Sequence, residues 1–281
     1  MVTRRDFLKK AGIAAAAKAI LASLEFKTAD KKTGLILYTV RQDMQKDMDG
    51  TLRAVADIGY NWIEAANYSN GLFYGMKPAD FRKKVESFGL QLISSHNGGL
   101  NTDNIDKVVA DASEVGLKYL VLPSLPGDYG KSLDGYKRAA DFFNLAGEKC
   151  MKADMKFGFH NHFIEFKPIE DQIPYDILVK NTDPELVIFE LDLCWITASG
   201  QSAVEYINKF PGRYELWHMK DMSPEKRDAT IGEGTIDFKP IYALADKAGL
   251  KYWFVEQDYC KTHTPLESAK ISRDFLINNI L

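Results

Sequence analysis

Short apolar runs alternate with longer amphipathic segments over most of the chain, from Leu35 to Leu281. Apolar runs of four to six residues are typical of strands that are buried on both faces. They occupy positions 35–38, 62–65, 90–95, 119–122, 156–160, 187–192, 214–219 and 252–256. The segments between them carry apolar residues at the spacing of helices. These predicted helices cover 49–58, 79–88, 105–115, 136–155, 175–180, 203–210, 239–248 and 266–278.

Glycine follows four of the predicted helices just before the next strand, at Gly59, Gly89, Gly116 and Gly249. Glycine adopts the left-handed conformation that ends a helix at little cost. Strand and helix alternate eight times at about 31 residues per unit, the size of the unit in a (β/α)8 barrel. An open, doubly wound α/β sheet is the alternative, but no Gly-x-Gly-x-x-Gly turn follows the first strand. We therefore predict an α/β fold, a single (β/α)8 TIM barrel over residues 31–281.

The first thirty residues differ from the rest. Arg4 and Arg5 precede a Phe-Leu-Lys tripeptide at 7–9 and then an alanine-rich stretch. This order resembles a twin-arginine export signal, which predicts a periplasmic protein. An alanine-rich N-terminal helix on a cytoplasmic protein is the alternative for residues 1–30. No apolar run approaches the roughly 18 residues that cross a bilayer, so we expect no transmembrane segment.

Composition and charge narrow the class of protein. The chain has 36 basic and 39 acidic side chains, a net charge of −3, and 46% hydrophobic residues. These values are typical of an ordinary folded globular protein and exclude intrinsic disorder. A nearly neutral chain argues against a polyanion-binding surface, so we expect no nucleic-acid partner. Cys150, Cys194 and Cys260 are too few and too widely spaced for a disulfide framework, and we expect buried thiols.

Histidines gather where the predicted strands end. His96 follows the third strand, His160 and His162 lie at the fifth, and His218 lies at the seventh, which accounts for four of the five histidines. The carboxyl ends of the strands form the face of a TIM barrel on which active sites lie. Four histidines at this one rim therefore predict a functional site.

Three carboxylates join these histidines, those of Glu165, Asp192 and Glu256. Burying several carboxylates side by side is costly unless a cation neutralises them. Strands 5 to 8 are neighbours in a barrel, so we predict that these carboxylates and His218 converge on one divalent metal ion. Three oxygens and one imidazole nitrogen suit Mn²⁺, Mg²⁺, Co²⁺ or a catalytic Zn²⁺.

Five segments carry a resemblance to a known family, and in chain order they are 160–166, 190–192, 216–221, 231–237 and 255–258. They resemble the xylose isomerase-like TIM-barrel superfamily, and most of all its sugar (phosphate) isomerase/epimerase branch. The resemblance covers essentially all of the chain from Leu35 to Leu281. It is specific for the fold and much less specific for the substrate.

The resemblance implies a metal site. In that family a glutamate, an aspartate, a histidine and a glutamate from strands 5 to 8 bind a divalent ion, and Asp192, His218 and Glu256 match the last three. At the first position His160 stands where the sugar epimerases have the glutamate. Either Glu165 or a histidine of the His-Asn-His segment must then take its place.

Proton removal from a carbon next to a carbonyl is the chemistry that such a site implies. A divalent ion that chelates the carbonyl oxygen stabilises the developing enediolate. Glu256 is the first candidate for the base, with His162 and His160 as the alternatives. Lys220 either polarises the carbonyl or is a surface lysine that pairs with Asp221.

The fate of the proton decides the reaction. Its return to the sugar gives epimerisation or isomerisation, and we predict a metal-dependent sugar isomerase/epimerase. Loss of a β-leaving group gives the alternative, a dehydratase or lyase for a keto-sugar such as a 3-keto-glycoside or an inosose-like substrate. Export favours this alternative, because sugar phosphates are largely retained in the cytoplasm. A non-catalytic sugar-binding barrel is a remote third reading, and an endonuclease of the same superfamily is disfavoured by the few rim histidines.

Four further residues are candidates for substrate binding: His96, Glu64, Trp195 and Arg41. Glu64 and Arg41 end the second and first strands and either bind sugar hydroxyls or are surface side chains. Trp195 either stacks on the apolar face of a sugar or fills the core. The expected partner is a small-molecule sugar or keto-sugar, and a homo-oligomer is compatible with the family.

Overall fold

The computed structural model describes residues 31–281, and the predicted export signal at 1–30 lies outside the described residues. Eight parallel strands close into a barrel in which each strand pairs with its chain neighbours and the first pairs with the last. Numbered β1 to β8, they are Gly34–Ile36, Trp62–Ala65, Gln91–His96, Tyr119–Leu122, Lys156–His160, Val187–Asp192, Leu216–Met219 and Tyr252–Val255. The predicted (β/α)8 barrel is confirmed.

Helices connect the strands and cover the outside of the barrel. Numbered α1 to α11, they are Arg41–Lys46, Met48–Ile58, Pro78–Ser87, Ile105–Val115, Leu133–Met151, Pro174–Lys180, Leu193–Ala198, Ala203–Lys209, Phe238–Tyr242, Ala245–Ala248 and Pro265–Asn279. The predicted helices are present with ends shifted by at most a few residues. The prediction of one continuous helix over 239–248 is wrong, because this segment forms α9 and α10.

Periodicity does not predict α1 and α7, which lie in the loops after β1 and β6. The sequence of α7 is almost entirely apolar and therefore has no polar face to mark it as a helix. This helix begins because the carboxylate of Asp192 accepts a hydrogen bond from the backbone N–H of Trp195. The same aspartate thus ends β6, caps α7 and belongs to the candidate site.

The four glycines at the predicted helix ends adopt the left-handed conformation. Their φ angles are 102° at Gly59, 75° at Gly89, 84° at Gly116 and 80° at Gly249. A residue with a Cβ is strained at such angles, so these glycines end their helices without that cost. The boundaries predicted from them are confirmed.

The described residues form two hydrophobic clusters, one between the barrel and its helices and one inside the barrel. Side chains that point outward from the strands pack against the helices in the main hydrophobic core. A smaller apolar layer fills the bottom of the barrel and contains Ile36, Ile93, Tyr119, Val121, Ile188, Leu216 and Phe254. On β5, Gly158 makes room for this layer, because a Cβ there would lie 2.9 Å from Ile188 Cδ1.

Above this apolar layer, the inward positions become polar towards the carboxyl ends of the strands. Successive strand residues point to opposite faces, so the inward residues follow each other in steps of two. The inward series are Ile188, Glu190 and Asp192 from β6, Leu216, His218 and Lys220 from β7, and Phe254, Glu256 and Asp258 from β8. The two-residue period of the strands therefore places one layer of apolar side chains below two layers of ionisable side chains.

Two further findings concern membrane-spanning helices and cysteines. Within residues 31–281, no helix is both long and apolar enough to cross a membrane. All three cysteines are free thiols, and Cys150 and Cys194 are buried. Cys260 is partly exposed, so the expectation of a buried thiol is wrong at that position.

Candidate metal centre and active site

Four buried side chains at the carboxyl ends of β5 to β8 form what we call the upper group: His160, Asp192, His218 and Glu256. One ligand atom of each lies within 4.8 Å of the others. His160 Nε2 lies 3.4 Å from Asp192 Oδ2, and His218 Nδ1 lies 3.0 Å from Glu256 Oε2. Ligand atoms that surround one ion at about 2.0–2.2 Å are separated by distances of about this size.

Several polar atoms of the upper group have no hydrogen-bond partner in the part of the chain that the structure describes. Both ring nitrogens of His160 and Oδ2 of Asp192 are buried without a hydrogen bond among the described residues. Buried polar atoms are nearly always satisfied, so these three are suited to a bound ligand. Burial, with help from His218, holds the pKa of His160 well below its usual value. His160 is therefore neutral, which is the form of imidazole that binds a metal ion.

A second cluster, the deep group, lies one layer below and contains Glu64, His96, Glu190 and the same His218. Glu64 Oε2 lies 2.6 Å from His218 Nε2, and Glu190 Oε2 lies 2.7 Å from His96 Nε2. His218 therefore belongs to both groups, with Nδ1 towards the upper group and Nε2 towards the deep group. The reading of Glu64 as a surface side chain is wrong, because it is fully buried.

The neighbouring carboxylates of Glu190 and Glu256 keep the imidazole of His218 protonated. Burial alone would lower the pKa of His218, but the carboxylates of Glu190 and Glu256 raise it well above its usual value. Without a bound cation the imidazole is thus protonated and donates towards Glu256 and Glu64. A cation at the upper group would replace the proton on Nδ1.

Lys220 is a fully buried cation beside the upper group. Its ammonium Nζ lies 2.6 Å from Asp258 Oδ2 and 3.1 Å from Glu256 Oε2, and 4.7 Å from the centre of the Trp195 ring. Burial alone would lower the pKa of Lys220, but Glu256, Asp192 and Asp258 raise it well above the usual value. The reading of Lys220 as a surface lysine is therefore wrong.

Asp221, the expected partner of that surface lysine, has a different role. It is buried, and its carboxylate accepts hydrogen bonds from the backbone N–H groups of Met222, Gly232, Gly234 and Ile236. Asp221 thereby fixes the glycine-containing loop that follows β7.

Glu165, the first metal ligand considered above, is not brought to the upper group. Its carboxylate accepts a hydrogen bond of 2.8 Å from the backbone N–H of His162 instead. Burial raises the pKa of Glu165 to about 7. The other option at this position was a histidine of the His-Asn-His segment, and His160 is the one whose nitrogen meets the other ligand atoms.

His162 lies above His160 and faces the open side of the site. The two rings meet edge to face with centroids 4.9 Å apart. Burial lowers the pKa of His162 to about 4, so the imidazole is neutral at pH 7. A neutral imidazole next to a substrate cavity is able to accept a proton.

Two adjoining cavities lie over the upper group. The inner one has a volume of about 460 Å³, and its lining includes His96, His160, His162, Lys220 and Glu256. The outer one has a volume of about 600 Å³ and shares Trp195, Asp258 and Tyr259 with the inner one. Each volume is in the range of a small-molecule site.

Arg41 and Trp195 line the outer cavity as partly exposed residues. The guanidinium of Arg41 donates to the backbone oxygens of Tyr38 and Asp258 and lies 4.2 Å from the centre of the Tyr38 ring. Trp195 lines both cavities rather than filling the core. Both side chains are thus placed where a substrate would pass.

Sequence reasoning missed Glu190 and Asp258 as site residues. Each lies two positions from a predicted ligand: Glu190 precedes Asp192 on the same inward face of β6, and Asp258 follows Glu256 just beyond the end of β8. Applying the two-residue period to every predicted ligand is the signal that finds both.

Comparison with known proteins agrees with the fold. The family model described as "Xylose isomerase-like TIM barrel" matches residues 52–278. The inosose dehydratase of Geobacillus kaustophilus (strain HTA426) is 24% identical in an alignment 279 positions long. This alignment covers 81% of this chain and 86% of that protein. The matches to further inosose dehydratases cover 51–55% of this chain. In these matches the chain spans only 52–58% of the length of the relatives.

Solved structures extend the likeness. A sugar phosphate isomerase/epimerase from Parabacteroides distasonis ATCC 8503 is 29% identical, with a TM-score of 0.79 over 89% of this chain and 94% of that chain. The IolI protein, solved with a zinc atom, has a TM-score of 0.70 over 88% of this chain and 97% of that chain. Its 14% identity shows the fold alone. By the family match over most of its length, this chain belongs to the xylose isomerase-like TIM barrel family.

Proposed function

We propose that this protein is a divalent-metal-dependent dehydratase or lyase that acts on a keto-sugar. The observation that carries the proposal is a set of buried atoms in the upper group, His160 Nδ1 and Nε2 and Asp192 Oδ2, that have no hydrogen-bond partner within residues 31–281. They lie beside a substrate-sized cavity. The inosose dehydratases among the relatives support elimination as the reaction. The zinc atom of the IolI structure supports a metal centre in this fold.

His160, Asp192, His218 and Glu256 would hold the ion. Two imidazole nitrogens and two carboxylates suit Zn²⁺, Co²⁺ or Mn²⁺ better than Mg²⁺, which prefers an all-oxygen octahedron. When bound, a divalent ion polarises a carbonyl oxygen and stabilises the negative charge that develops as the neighbouring carbon loses its proton.

His162 is the proposed base. It lines the inner cavity and is neutral at pH 7, since burial lowers its pKa to about 4. Glu256 is less suited to this role because it belongs to the upper group, where a bound cation would occupy it. Burial would raise its pKa, but Lys220 and His218 hold the pKa of this carboxyl well below its usual value. Glu256 therefore stays a carboxylate and is better suited to bind a cation.

In the elimination, His162 acts first as the base and then as the acid, and it carries the same proton in both steps. His162 takes the proton from the carbon next to the carbonyl, and the bond from the β-carbon to its oxygen breaks as the carbon–carbon double bond forms. The protonated His162 then gives its proton to the leaving oxygen, so that a hydroxyl departs as water. Lys220 stays protonated between Glu256 and Asp258 and faces the negative charge of the substrate.

A direct assay tests this function. The purified, metal-supplemented protein is incubated with an inosose and, separately, with a 3-keto-glucoside, and the products are followed by mass spectrometry. The proposal predicts loss of one water from the inosose or release of the aglycone from the glucoside. Activity confined to sugar phosphates, with none on either keto-sugar, would contradict it.

A sugar isomerase or epimerase is the second candidate. The observation that favours it is the sugar phosphate isomerase/epimerase of Parabacteroides distasonis, which is 29% identical over most of both chains. Deuterium from D₂O distinguishes the two reactions. Incorporation of one deuterium without loss of any group indicates isomerisation or epimerisation, whereas elimination removes the group.

We also propose export through the twin-arginine sequence at residues 1–30. Arg4 and Arg5 precede a Phe-Leu-Lys tripeptide, as in signals of that type. Fractionation of cells that express the wild type and an R4K/R5K variant tests it. We expect the wild type in the periplasm and the variant in the cytoplasm, and equal distribution of both would contradict export by this route.

A further inference from the structure

Glu64 lies on β2, across the barrel from the strands that carry the upper group, and its side chain has no accessible surface. Its Oε2 is 2.6 Å from Nε2 of His218, the shortest contact in the deep group. A carboxylate can only accept a hydrogen bond from an imidazole, so this contact requires a proton on Nε2.

The proton on Nε2 has a consequence at the other ring nitrogen. A neutral imidazole carries one N–H, and a proton fixed at Nε2 leaves Nδ1 with its lone pair. Nδ1 lies 3.0 Å from Glu256 Oε2 and 3.9 Å from Asp192 Oδ2, inside the upper group. Without a bound cation Nδ1 also carries a proton and donates towards Glu256. Once an ion displaces that proton, the same ring orientation presents the Nδ1 lone pair among the ligand atoms of Glu256 and Asp192.

We propose that Glu64 is a positioning residue, which holds the proton of His218 on Nε2 so that Nδ1 binds the metal ion. The proposal rests on the metal centre of the proposed function and assigns Glu64 a role other than contact with sugar hydroxyls. Carboxylates that accept from a metal-bound histidine in this way fix its tautomer, and their loss typically lowers metal affinity 10- to 100-fold.

The rest of the deep group keeps Glu64 in this role. Glu190 Oε2 is the other acceptor near His218 Nε2, at 3.4 Å, but it lies closer to His96 Nε2, at 2.7 Å. Glu64 Oε2 is in turn 3.6 Å from His96 Nε2. At Nε2, each of these two histidines therefore has one near carboxylate, and Glu64 is the one that accepts from His218.

Two variants at position 64 separate orientation from packing. Glu64→Leu removes the acceptor and keeps most of the volume, whereas Glu64→Gln keeps an amide oxygen that accepts from Nε2–H. Glu165→Gln is the matched control, a buried glutamate outside both groups. Zinc affinity is measured by competition with a chelator, and the number of ions per chain by plasma mass spectrometry.

We expect one ion per chain in the wild type, a 10- to 100-fold loss of zinc affinity in Glu64→Leu, and less than a 10-fold loss in Glu64→Gln. In ¹⁵N-edited NMR of the zinc-loaded wild type, His218 should show a hydrogen-bonded proton on Nε2, and the resonance of this proton should move upfield in Glu64→Leu, which has no acceptor. Circular dichroism checks that each variant is folded.

Three outcomes would overturn the proposal. They are unchanged affinity in folded Glu64→Leu, a His218 proton on Nδ1 in the zinc-loaded protein, and two ions per wild-type chain that become one in Glu64→Leu. The last result would make the deep group a second ion site. Failure of the metal centre itself is distinguishable, because the wild type would then bind no ion.

Discussion

His160 Nε2 and Asp192 Oδ2 lie 3.4 Å apart on neighbouring strands, and both atoms are buried without a hydrogen-bond partner among the described residues. By the resemblance of segment 160–166, His160 stands at about the place where sugar epimerases of this family have a glutamate. In the proposed metal centre, the pair would therefore present a nitrogen ligand where those epimerases have an oxygen ligand.

Substitution at His160 tests this exchange of ligands. We expect His160→Ala to weaken zinc binding at least 10-fold, because one of four ligands is lost. His160→Glu should restore binding and shift the preference from Zn²⁺ towards Mn²⁺ and Mg²⁺, which favour oxygen. Competition between metals, followed by plasma mass spectrometry, measures the shift. Equal zinc affinity in the wild type and His160→Ala would exclude His160 as a ligand.

Lys220 is predicted to stabilise the metal-free protein by balancing Asp192, Glu256 and Asp258. Removing one partner from a buried charge cluster costs about 3–5 kcal/mol, so Lys220→Met should lower the free energy of unfolding by about that amount. Urea titration measures the change, with the exposed Lys239→Met as control. Added Zn²⁺ should reduce the difference in free energy of unfolding between the two proteins, because the ion supplies the lost positive charge. A Lys220→Met protein as stable as the wild type would refute this balance.

His162 is predicted to act on the substrate and not on the metal ion. His162→Gln should lower kcat for keto-sugar elimination by about 10²- to 10⁴-fold, the usual contribution of a general base. Zinc affinity should stay within about threefold of the wild type. His263→Gln is the control with expected normal activity, because His263 is partly exposed, pairs with Glu233 and lines neither cavity of the site. A His162→Gln enzyme with normal kcat would return the role of base to Glu256.

Glu165 is predicted to make stability depend on pH. Burial raises its pKa from 4.5 to about 7, so the folded state holds this proton more tightly than the unfolded state does. Stability should therefore fall by up to about 3 kcal/mol as pH rises from about 4.5 to about 7. Glu165→Gln, which cannot ionise, should lack this loss and be the more stable protein at pH 8. Parallel urea titrations at pH 5 and pH 8 measure both, and equal pH dependence would contradict the assignment.

The sequence predicts the fold well because strand burial and helix ends are local signals. Alternating apolar runs and the glycines at helix ends, such as Gly59 and Gly116, fix the eight units. The short helix α7 escapes this reasoning, because its start depends on the side chain of Asp192 and not on periodicity.

The candidate site is predictable in part. Position at a strand end indicates Asp192 and Glu256, but the burial and partners of Lys220 depend on residues far apart in the chain. Glu165 illustrates the limit in the other direction. Its distance in sequence from His160 does not reveal that the chain turns its carboxylate towards the backbone of His162.

Metal content tests the central claim most directly. Purified wild type and His218→Ala, supplied with Zn²⁺, Co²⁺ or Mn²⁺ and then dialysed, are compared by plasma mass spectrometry, with circular dichroism to check folding. We expect close to one divalent ion per wild-type chain and less than a tenth of that content in folded His218→Ala. No retained ion in the wild type, or equal content in both proteins, would contradict a metal centre built on His160, Asp192, His218 and Glu256.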